Sequence, residues 1–319
     1  MCFSALVEQD IARLKRDFKA RPDLRAFKKL FERRTRGESV LIPKAMEANF
    51  LGPGTTETVE IAELIFAYHD SKTRQLEQDR IKQKARLDNA ERALLGGETE
   101  KLLNERRIAK NKVGFCEEKI ADLKRRQPER RDARIFPQHY APVVVEEGGE
   151  RIIRPMRYLL RRAGKPATDD RKFSGCYNAR RDNLSRFWRG QFGHSHGVVV
   201  VTSFYENVSR HAMEHRELGP GEKEENVVLQ FDPRPEIRMR VACLWSHWTG
   251  NGEPDLLSFA AVTDEPPAEV ADAGHDRCIV PISDFNIAAW LDPLGRPDGD
   301  LFKILDERER PFYEHKIAA

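Results

Sequence analysis

The most reactive position in the sequence is Cys2, which directly follows Met1. Methionine aminopeptidase removes an initiator methionine when the next residue is small, so we expect a mature chain that begins with Cys2. Such a terminus carries an α-amine and a thiol on one residue. The amine has a pKa of about 8 and the thiol a pKa of about 8.5, so both are partly nucleophilic at neutral pH. A 1,2-aminothiol condenses with an aldehyde to an imine, which the thiol then closes into a thiazolidine ring. The alternative interpretation is an incidental small residue after the start.

Three later segments contain polar side chains that suit reaction at a nucleophilic terminus. Singly, each has an ordinary alternative: Asn178 is compatible with capping a turn, Glu206 with a surface carboxylate at a strand end, and His275 with a loop histidine. Their order and spacing together favour a shared site. The segments are Cys176-Tyr177-Asn178-Ala179-Arg180, the strand-like run from Val198 to Glu206, and Gly274-His275-Asp276-Arg277 before the apolar run from Cys278 to Ile282.

The ordered set resembles the SRAP (SOS response-associated peptidase) family. Members begin Met-Cys and then carry Asn-Ala-Arg, a Phe-Tyr-Glu-type motif and His-Asp-Arg. The matching residues here are Cys2, Asn178-Ala179-Arg180, Phe204-Tyr205-Glu206 and His275-Asp276-Arg277, with further similarity at Ala242-Cys243-Leu244-Trp245, Phe259-Ala260-Ala261-Val262-Thr263 and Trp290-Leu291. The resemblance covers residues 1–7 and 135–292 and does not extend past about residue 295. One departure is Phe3-Ser4 after the cysteine, where the family usually has Gly-Arg.

The resemblance implies that the chain senses abasic sites in single-stranded DNA during the DNA damage response. It implies a covalent thiazolidine crosslink through Cys2, an activity of the lyase or hydrolase kind, with no metal and no cofactor. Glu206 is suited to orient and deprotonate the amine, and His275 to carry a proton to the sugar oxygen, because its pKa normally lies near working pH. Asn178 is suited to hold the terminal cysteine by its amide.

The resemblance indicates Arg180 and Arg277 as DNA-binding residues, and the local sequence adds Arg186 and Trp188. Arg180 is suited to a flanking phosphate, which a planar guanidinium grips through two hydrogen bonds. Arg277 is the arginine of the His-Asp-Arg motif. Arg186 and Trp188 lie in an aromatic, basic stretch in which a ring is suited to stack on a single-stranded base. Core packing of those rings is the alternative interpretation.

Three other functions are compatible with the sequence. A cysteine-type peptidase or autopeptidase would use Cys2 as nucleophile with His275 as base. A metal-dependent hydrolase would bring together the histidine pairs His194-x-His196 and His211-x3-His215, the second pair on one helix face. The alternative interpretation is that these four residues are ordinary surface histidines. The last possibility is a non-catalytic DNA-binding coiled-coil protein.

Composition limits the class of protein. The chain has 319 residues, of which 34% are charged and 39% hydrophobic. It contains no run of about 18 apolar residues, which argues against a membrane span. The net charge is only +3, so nucleic-acid binding must depend on local patches. Five scattered cysteines without a CxxC pair favour reduced thiols, and we therefore expect a cytoplasmic protein.

Residues 56–130 have the pattern of an antiparallel helical hairpin. Apolar residues recur every seven positions at Leu102, Ala109, Cys116 and Leu123, and Gly96-Gly97 supplies a turn before them. A looser partner line is formed by Ala62/Phe66, Leu76, Leu87 and Ala90/Leu94. We expect this hairpin to pack on the domain, to bind a protein partner or to self-associate. The alternative is a basic arm for DNA, because residues 101–134 hold twelve Lys/Arg against six Asp/Glu.

The rest of the chain has short, β-branched-rich apolar runs broken by Pro, Gly and Asp, typical of strands. They lie at Val143–Val145, Val198–Val201, Val227–Leu229, Val241–Trp245, Leu256–Val262 and Ile279–Ile282. No long helices separate them, which argues against a doubly wound parallel sheet. We predict an α+β fold: a SRAP-like, mostly antiparallel β-barrel-type domain with flanking helices over residues 1–55 and 131–319. The coiled-coil hairpin of residues 56–130 is inserted in it.

Overall fold

The computed structural model describes residues 3–250 and 252–318. Within them the chain is an α+β protein, as predicted, with one large sheet and a long pair of packed helices. The strands are β1 (Ser4–Val7), β2 (Arg21–Pro22), β3 (Arg134–Ile135), β4 (Tyr140–Glu147), β5 (Glu150–Tyr158), β6 (Asn178–Arg180), β7 (His196–Ser209), β8 (Asn226–Arg234), β9 (Met239–Gly250), β10 (Glu253–Asp264), β11 (Cys278–Ile279) and β12 (Phe312–Ile317).

The helices range from single turns to ten turns. They are α1 (Ile11–Phe18), α2 (Leu24–Thr35), α3 (Lys44–Glu47), α4 (Thr56–Leu94), α5 (Glu100–Lys124), α6 (Asp169–Lys172), α7 (Arg210–Met213), α8 (Ala268–Asp272), α9 (Ile287–Leu291) and α10 (Asp298–Asp306). Capping defines several of their starts. Asp10 accepts a hydrogen bond from the amide of Arg13 at 3.0 Å, which satisfies a donor that the first turn of α1 leaves unpaired.

The chain divides into two compact units. The first comprises Met1–Leu30, Ser39–Asn49 and Glu129–Ala319, and the second comprises Phe31–Glu38 and Phe50–Pro128. The sequence predicted a slightly different division, into residues 1–55 with 131–319 and an inserted hairpin of residues 56–130. That division stays a prediction.

In the first unit, β7 organises the sheet. Its valine-rich first half pairs antiparallel with β4 and β9, and its second half with β1 and β8. The strand order is β11-β10-β5-β4-β7-β1-β3, with β2, β6, β8, β9 and β12 paired off this path. Most pairs are antiparallel, although β10 runs parallel to β5 and to β6. The predicted strands are present, and a barrel form of this sheet stays a prediction.

The second unit contains α4 and α5, which pack together as the predicted hairpin with Gly96-Gly97 in the turn. The predicted α5 line is buried at Ala109 and Cys116, and Cys116 packs with Leu76 and Ile120. One assignment was wrong. Phe66 is 58% exposed, and its neighbour Ile65 is buried instead. The heptad count was shifted by one residue at that end of α4.

No helix in the described chain is both long and apolar enough to cross a membrane. The four described cysteines, Cys116, Cys176, Cys243 and Cys278, are buried free thiols.

Candidate active site

Strand β7 carries Glu206 into the protein interior. Side chains alternate along a strand, so Phe204 and Glu206 point to one face of the sheet and Tyr205 to the other. Glu206 is 0% exposed, and its neighbour across β8 is Leu229. A carboxylate in such a place is costly unless it contacts polar groups. Its position therefore requires a specific partner.

His275 supplies one such partner from the loop after α8. Gly274, at φ +90°, turns the chain, and the backbone amide of His275 donates to the carbonyl of Val270 at 3.2 Å. The ring nitrogen Nδ1 lies 2.8 Å from the carbonyl oxygen of Arg277, which fixes the ring orientation. The other nitrogen, Nε2, lies 3.3 Å from Oε2 of Glu206.

The protonation of this pair defines what it can do. Burial lowers the pKa of His275 to about 4, so the imidazole is neutral at pH 7. When Nδ1–H donates to the carbonyl of Arg277, the lone pair of Nε2 faces the carboxylate of Glu206. Two acceptors at this distance suit a donor that reaches both of them, such as an ammonium group. Glu206 is therefore suited to take a proton from a bound amine, with the neutral imidazole of His275 beside it.

Three described thiols of the first unit, at Cys176, Cys243 and Cys278, are not nucleophiles. Burial raises the pKa of Cys278, and the carboxylate of Glu206 raises it further. Burial also raises the pKa of Cys243, and that of Cys176 to about 11. A thiol must ionise to attack, so these three cysteines are inert at neutral pH. Any cysteine chemistry at Glu206 and His275 thus depends on Cys2, which lies outside the described residues.

The first described strand pairs with the part of β7 that leads into Glu206. Strand β1 is antiparallel to β7, with Ser4 across from Tyr205 and Ala5 across from Phe204. The described part of β1 therefore begins beside the residue that precedes Glu206 in β7.

Asn178 lies on another strand of the same sheet. Asn178 opens β6, where it pairs in parallel register with Ala261 of β10, and its backbone amide donates to the carbonyl of Gly175 at 3.1 Å. It is 5% exposed, and the hydroxyl of Tyr158 donates to its side-chain oxygen at 3.3 Å. This contact holds the amide in one orientation. Sequence analysis did not identify Tyr158, because nothing in the sequence links it to a residue twenty positions later.

The expected DNA-binding arginines differ in their surroundings. Arg180 pairs with Asp182 at 2.9 Å and has a side chain 41% exposed. Arg277 lies 3.9 Å from Asp276, with a side chain only 15% exposed. Arg186 is exposed on the segment before β7.

Trp188 was assigned wrongly as a base-stacking residue. Its side chain is 3% exposed, and its ring packs edge-on against Phe187 at 5.0 Å. Phe192 is buried to the same degree. Apolar rings in an α+β protein contribute most when they are removed from water, so core packing decided this position. A base cannot reach the ring without displacing it.

The metal-hydrolase alternative was also wrong. Both ring nitrogens of His196 are used: Nδ1 lies 3.0 Å from the carbonyl of Trp290, and Nε2 accepts from the amide of Gly193 at 2.9 Å. Burial lowers the pKa of His196 to about 3. Helix α7 ends at Met213, so His215 does not share a helix face with the histidine four residues before it.

The sequence and fold were compared with known proteins. The family model described as SOS response associated peptidase (SRAP) matches residues 98–317. The match includes the tail beyond residue 295, for which the motifs alone showed no similarity, and it does not include Cys2. No curated protein matches the sequence.

Three solved structures are similar to part of this chain. A protein from Bacteroides thetaiotaomicron is 11% identical with a TM-score of 0.46, covering 58% of this chain and 77% of that chain. A protein from Bordetella bronchiseptica is 17% identical with a TM-score of 0.45, covering 59% and 87%. A phage-related protein from the same organism is 16% identical with a TM-score of 0.42, covering 58% and 80%.

Proposed function

The chain belongs to the SRAP family, which supports a role associated with DNA damage, and from this premise we propose that it captures abasic sites in single-stranded DNA covalently. The reacting group in this proposal is Cys2, freed by removal of Met1. The observation that carries the proposal is the buried pair of Glu206 and His275, whose Oε2 and Nε2 lie 3.3 Å apart beside the strand that leads from Cys2.

The reaction follows from the chemistry of the aminothiol. Glu206 accepts a proton from the terminal ammonium, and the free amine attacks C1′ of the ring-opened deoxyribose. Loss of water gives an imine. The thiol of Cys2 then adds its sulfur to the imine carbon and its proton reaches the nitrogen, which closes the thiazolidine. Before the amine attacks, Nε2 of the neutral His275 accepts the proton of the C1′ hydroxyl as the sugar ring opens and delivers it to the ring oxygen.

Asn178 and the exposed arginines complete the proposed site. The amide of Asn178, oriented by Tyr158, holds the terminal cysteine without competing as a nucleophile. Arg180 and Arg186 have exposed side chains that can reach flanking phosphates, and Arg277 positions His275 through its carbonyl. An abasic nucleotide has no base to unstack, so extruding it into such a site costs little.

A denaturing gel tests the proposal. Purified protein is incubated with a single-stranded oligonucleotide that carries one abasic site, and a heat-stable shifted band is expected. Cys2→Ala abolishes the band. Cys2→Ser keeps the amine and gives an imine that persists only after borohydride reduction. Cys278→Ala is the matched control, because its inert thiol lies near the same carboxylate.

The competing outcome is a cysteine peptidase that uses Cys2 and His275. It would cleave peptides and leave the oligonucleotide unshifted. If mass spectrometry shows that Met1 is absent and wild-type protein still forms no adduct, the proposed function is wrong. The cytoplasmic location, the inserted nature of residues 56–130 and the use of that hairpin for a protein partner or self-association remain predictions. So does its alternative use as a basic arm.

A further inference from the structure

Arg134 has an unusual environment in the first unit. Its Nε and Nη2 donate to the hydroxyl of Ser4 at 3.1 and 3.0 Å. Its guanidinium carbon lies 3.6 Å from the centre of the Tyr205 ring and 4.9 Å from that of Phe136. Within residues 3–250 and 252–318, no carboxylate lies within 4.0 Å of this guanidinium. Arg134 is thus a fixed cation with a neutral hydrogen-bond partner.

Burial lowers the pKa of Arg134, but an arginine keeps its charge at neutral pH. A half-buried charge without a counter-ion is costly, and an anion that binds it recovers that cost. The stacked, pinned fork is also preorganised, because its orientation does not have to be fixed during binding.

Two more cations lie near Arg134 on the face of β7 to which Ser203 and Tyr205 point. Arg130 lies 3.3 Å from Asp232 and donates to the hydroxyl of Ser203 at 3.0 Å. Lys316 lies 3.2 Å from the other oxygen of Asp232. The side chains of Arg130 and Lys316 are 63% and 60% exposed. Arg130 and Lys316 therefore share the carboxylate of Asp232, and with Arg134 the group carries a local charge of about +2.

The group adjoins the beginning of the chain. Phe3 is 45% exposed, and its ring lies 5.7 Å from Phe136, which in turn contacts Arg134. An exposed ring beside a cationic patch is the arrangement on which unpaired bases stack while their phosphates are neutralised. A free phosphate or a duplex would not use that ring. We call Arg130, Arg134 and Lys316, with the rings of Phe3 and Phe136, the Arg134 platform.

We propose that the Arg134 platform binds a phosphodiester and an adjacent base of single-stranded DNA next to Cys2. The inference rests on the proposed function for the identity of the strand, and it adds a binding surface on the face of β7 opposite to Glu206. Arg134 holds one phosphate through the Nη1–Nη2 edge of its guanidinium, since Nε and Nη2 already donate to Ser4, and Arg130 and Lys316 neutralise a neighbouring phosphate.

Binding of an intact single-stranded oligonucleotide, without any abasic site, tests this surface separately from the chemistry. Fluorescence anisotropy is measured over a series of salt concentrations for wild type, Arg134→Gln, Arg134→Lys and the double variant Arg130→Gln/Lys316→Gln. The exposed double variant keeps the test valid if Arg134→Gln folds poorly. Arg25→Gln, an exposed arginine on α2, is the matched control.

The expected result has two parts. Each single neutralisation weakens binding by roughly three- to tenfold at low salt. The slope of log affinity against log salt falls by about 0.7 for each cation removed. Arg134→Lys keeps the slope but loses affinity, because an ammonium lacks the fork.

Unchanged affinity and slope in both Arg134→Gln and the double variant would overturn the platform, as would absence of any binding by wild type. Failure of the platform can be distinguished from failure of the proposed function. An adduct with abasic DNA alongside unaltered binding by the variants refutes the platform alone. Binding that depends on Arg134 without any adduct refutes the covalent capture alone.

Discussion

Replacing Glu206 by glutamine is the most direct test of the proposed proton transfer. The side chain is fully buried with its carboxylate 3.3 Å from Nε2 of His275, and glutamine has nearly the same volume. The fold should therefore persist while the base is lost. A positioned general base contributes about 10² to 10⁴ in rate, or roughly 3 to 5 kcal/mol in the activation barrier. We expect crosslinking at about pH 7 to slow at least a hundredfold in Glu206→Gln.

The pH dependence of that loss identifies its cause. An α-amine has a pKa of about 8, so above this pH the amine needs no carboxylate to become nucleophilic. The ratio of wild-type to variant rate should therefore shrink as the pH rises. The assay is the time course of adduct formation on a denaturing gel with abasic oligonucleotide in excess. Cys278→Ala should crosslink like wild type. A Glu206→Gln variant that stays within about threefold of wild type from about pH 6 to about pH 9 would refute the assigned role.

Three further predictions concern stability. Burial depresses the folded-state pKa of His275 from 6.5 to about 4, so the unfolded chain binds more protons between these pH values. The free energy of unfolding should therefore fall by about 3 kcal/mol as the pH drops through this window. His275→Gln should remove that loss, as measured by urea unfolding. Trp188→Ala should cost about 3 to 5 kcal/mol in thermal unfolding without weakening the DNA binding of the folded protein, whereas an increased DNA dissociation constant with normal stability would restore the stacking role. Leu76→Ala should cost about 2 to 4 kcal/mol and accelerate hydrogen exchange in α4 and α5, and uniform exchange across the chain would contradict an independent hairpin core.

The metal-hydrolase alternative fails in this structure, whereas the cysteine peptidase stays a competing prediction. The metal site fails because both ring nitrogens of His196 form hydrogen bonds with backbone groups, so neither is available to bind a metal. The peptidase alternative has Cys2 as its nucleophile and His275 as its base. Its histidine, however, has a depressed pKa, so it is a weaker base than an unperturbed imidazole. The same low pKa is compatible with a role in which Glu206 accepts the first proton.

Much of the architecture was predictable because its signals are local. Runs of β-branched residues mark strands whatever surrounds them, and the valine run from Val198 to Val201 lies in β7 as expected. A repeat of seven with a Gly-Gly turn likewise predicts a helical pair. The seam was less secure at its weakly apolar end, where Phe66 and Ile65 compete for the same side of α4 and only packing selects between them.

The sequence alone determined the order of the motifs, the class of fold and the residue types available for aminothiol chemistry. It also determined which rings and histidines were candidates. Whether each one faces water or the core depends on contacts between distant segments, and period and propensity do not encode these.

Tertiary structure alone decided the working arrangement. It brought Nε2 of His275 to the carboxylate of Glu206 across 69 residues of chain, buried Trp188, and stacked Arg134 on Tyr205. The physical reason is that the charge state and reach of a side chain are set by its dielectric surroundings and neighbours, which exist only once the chain has folded.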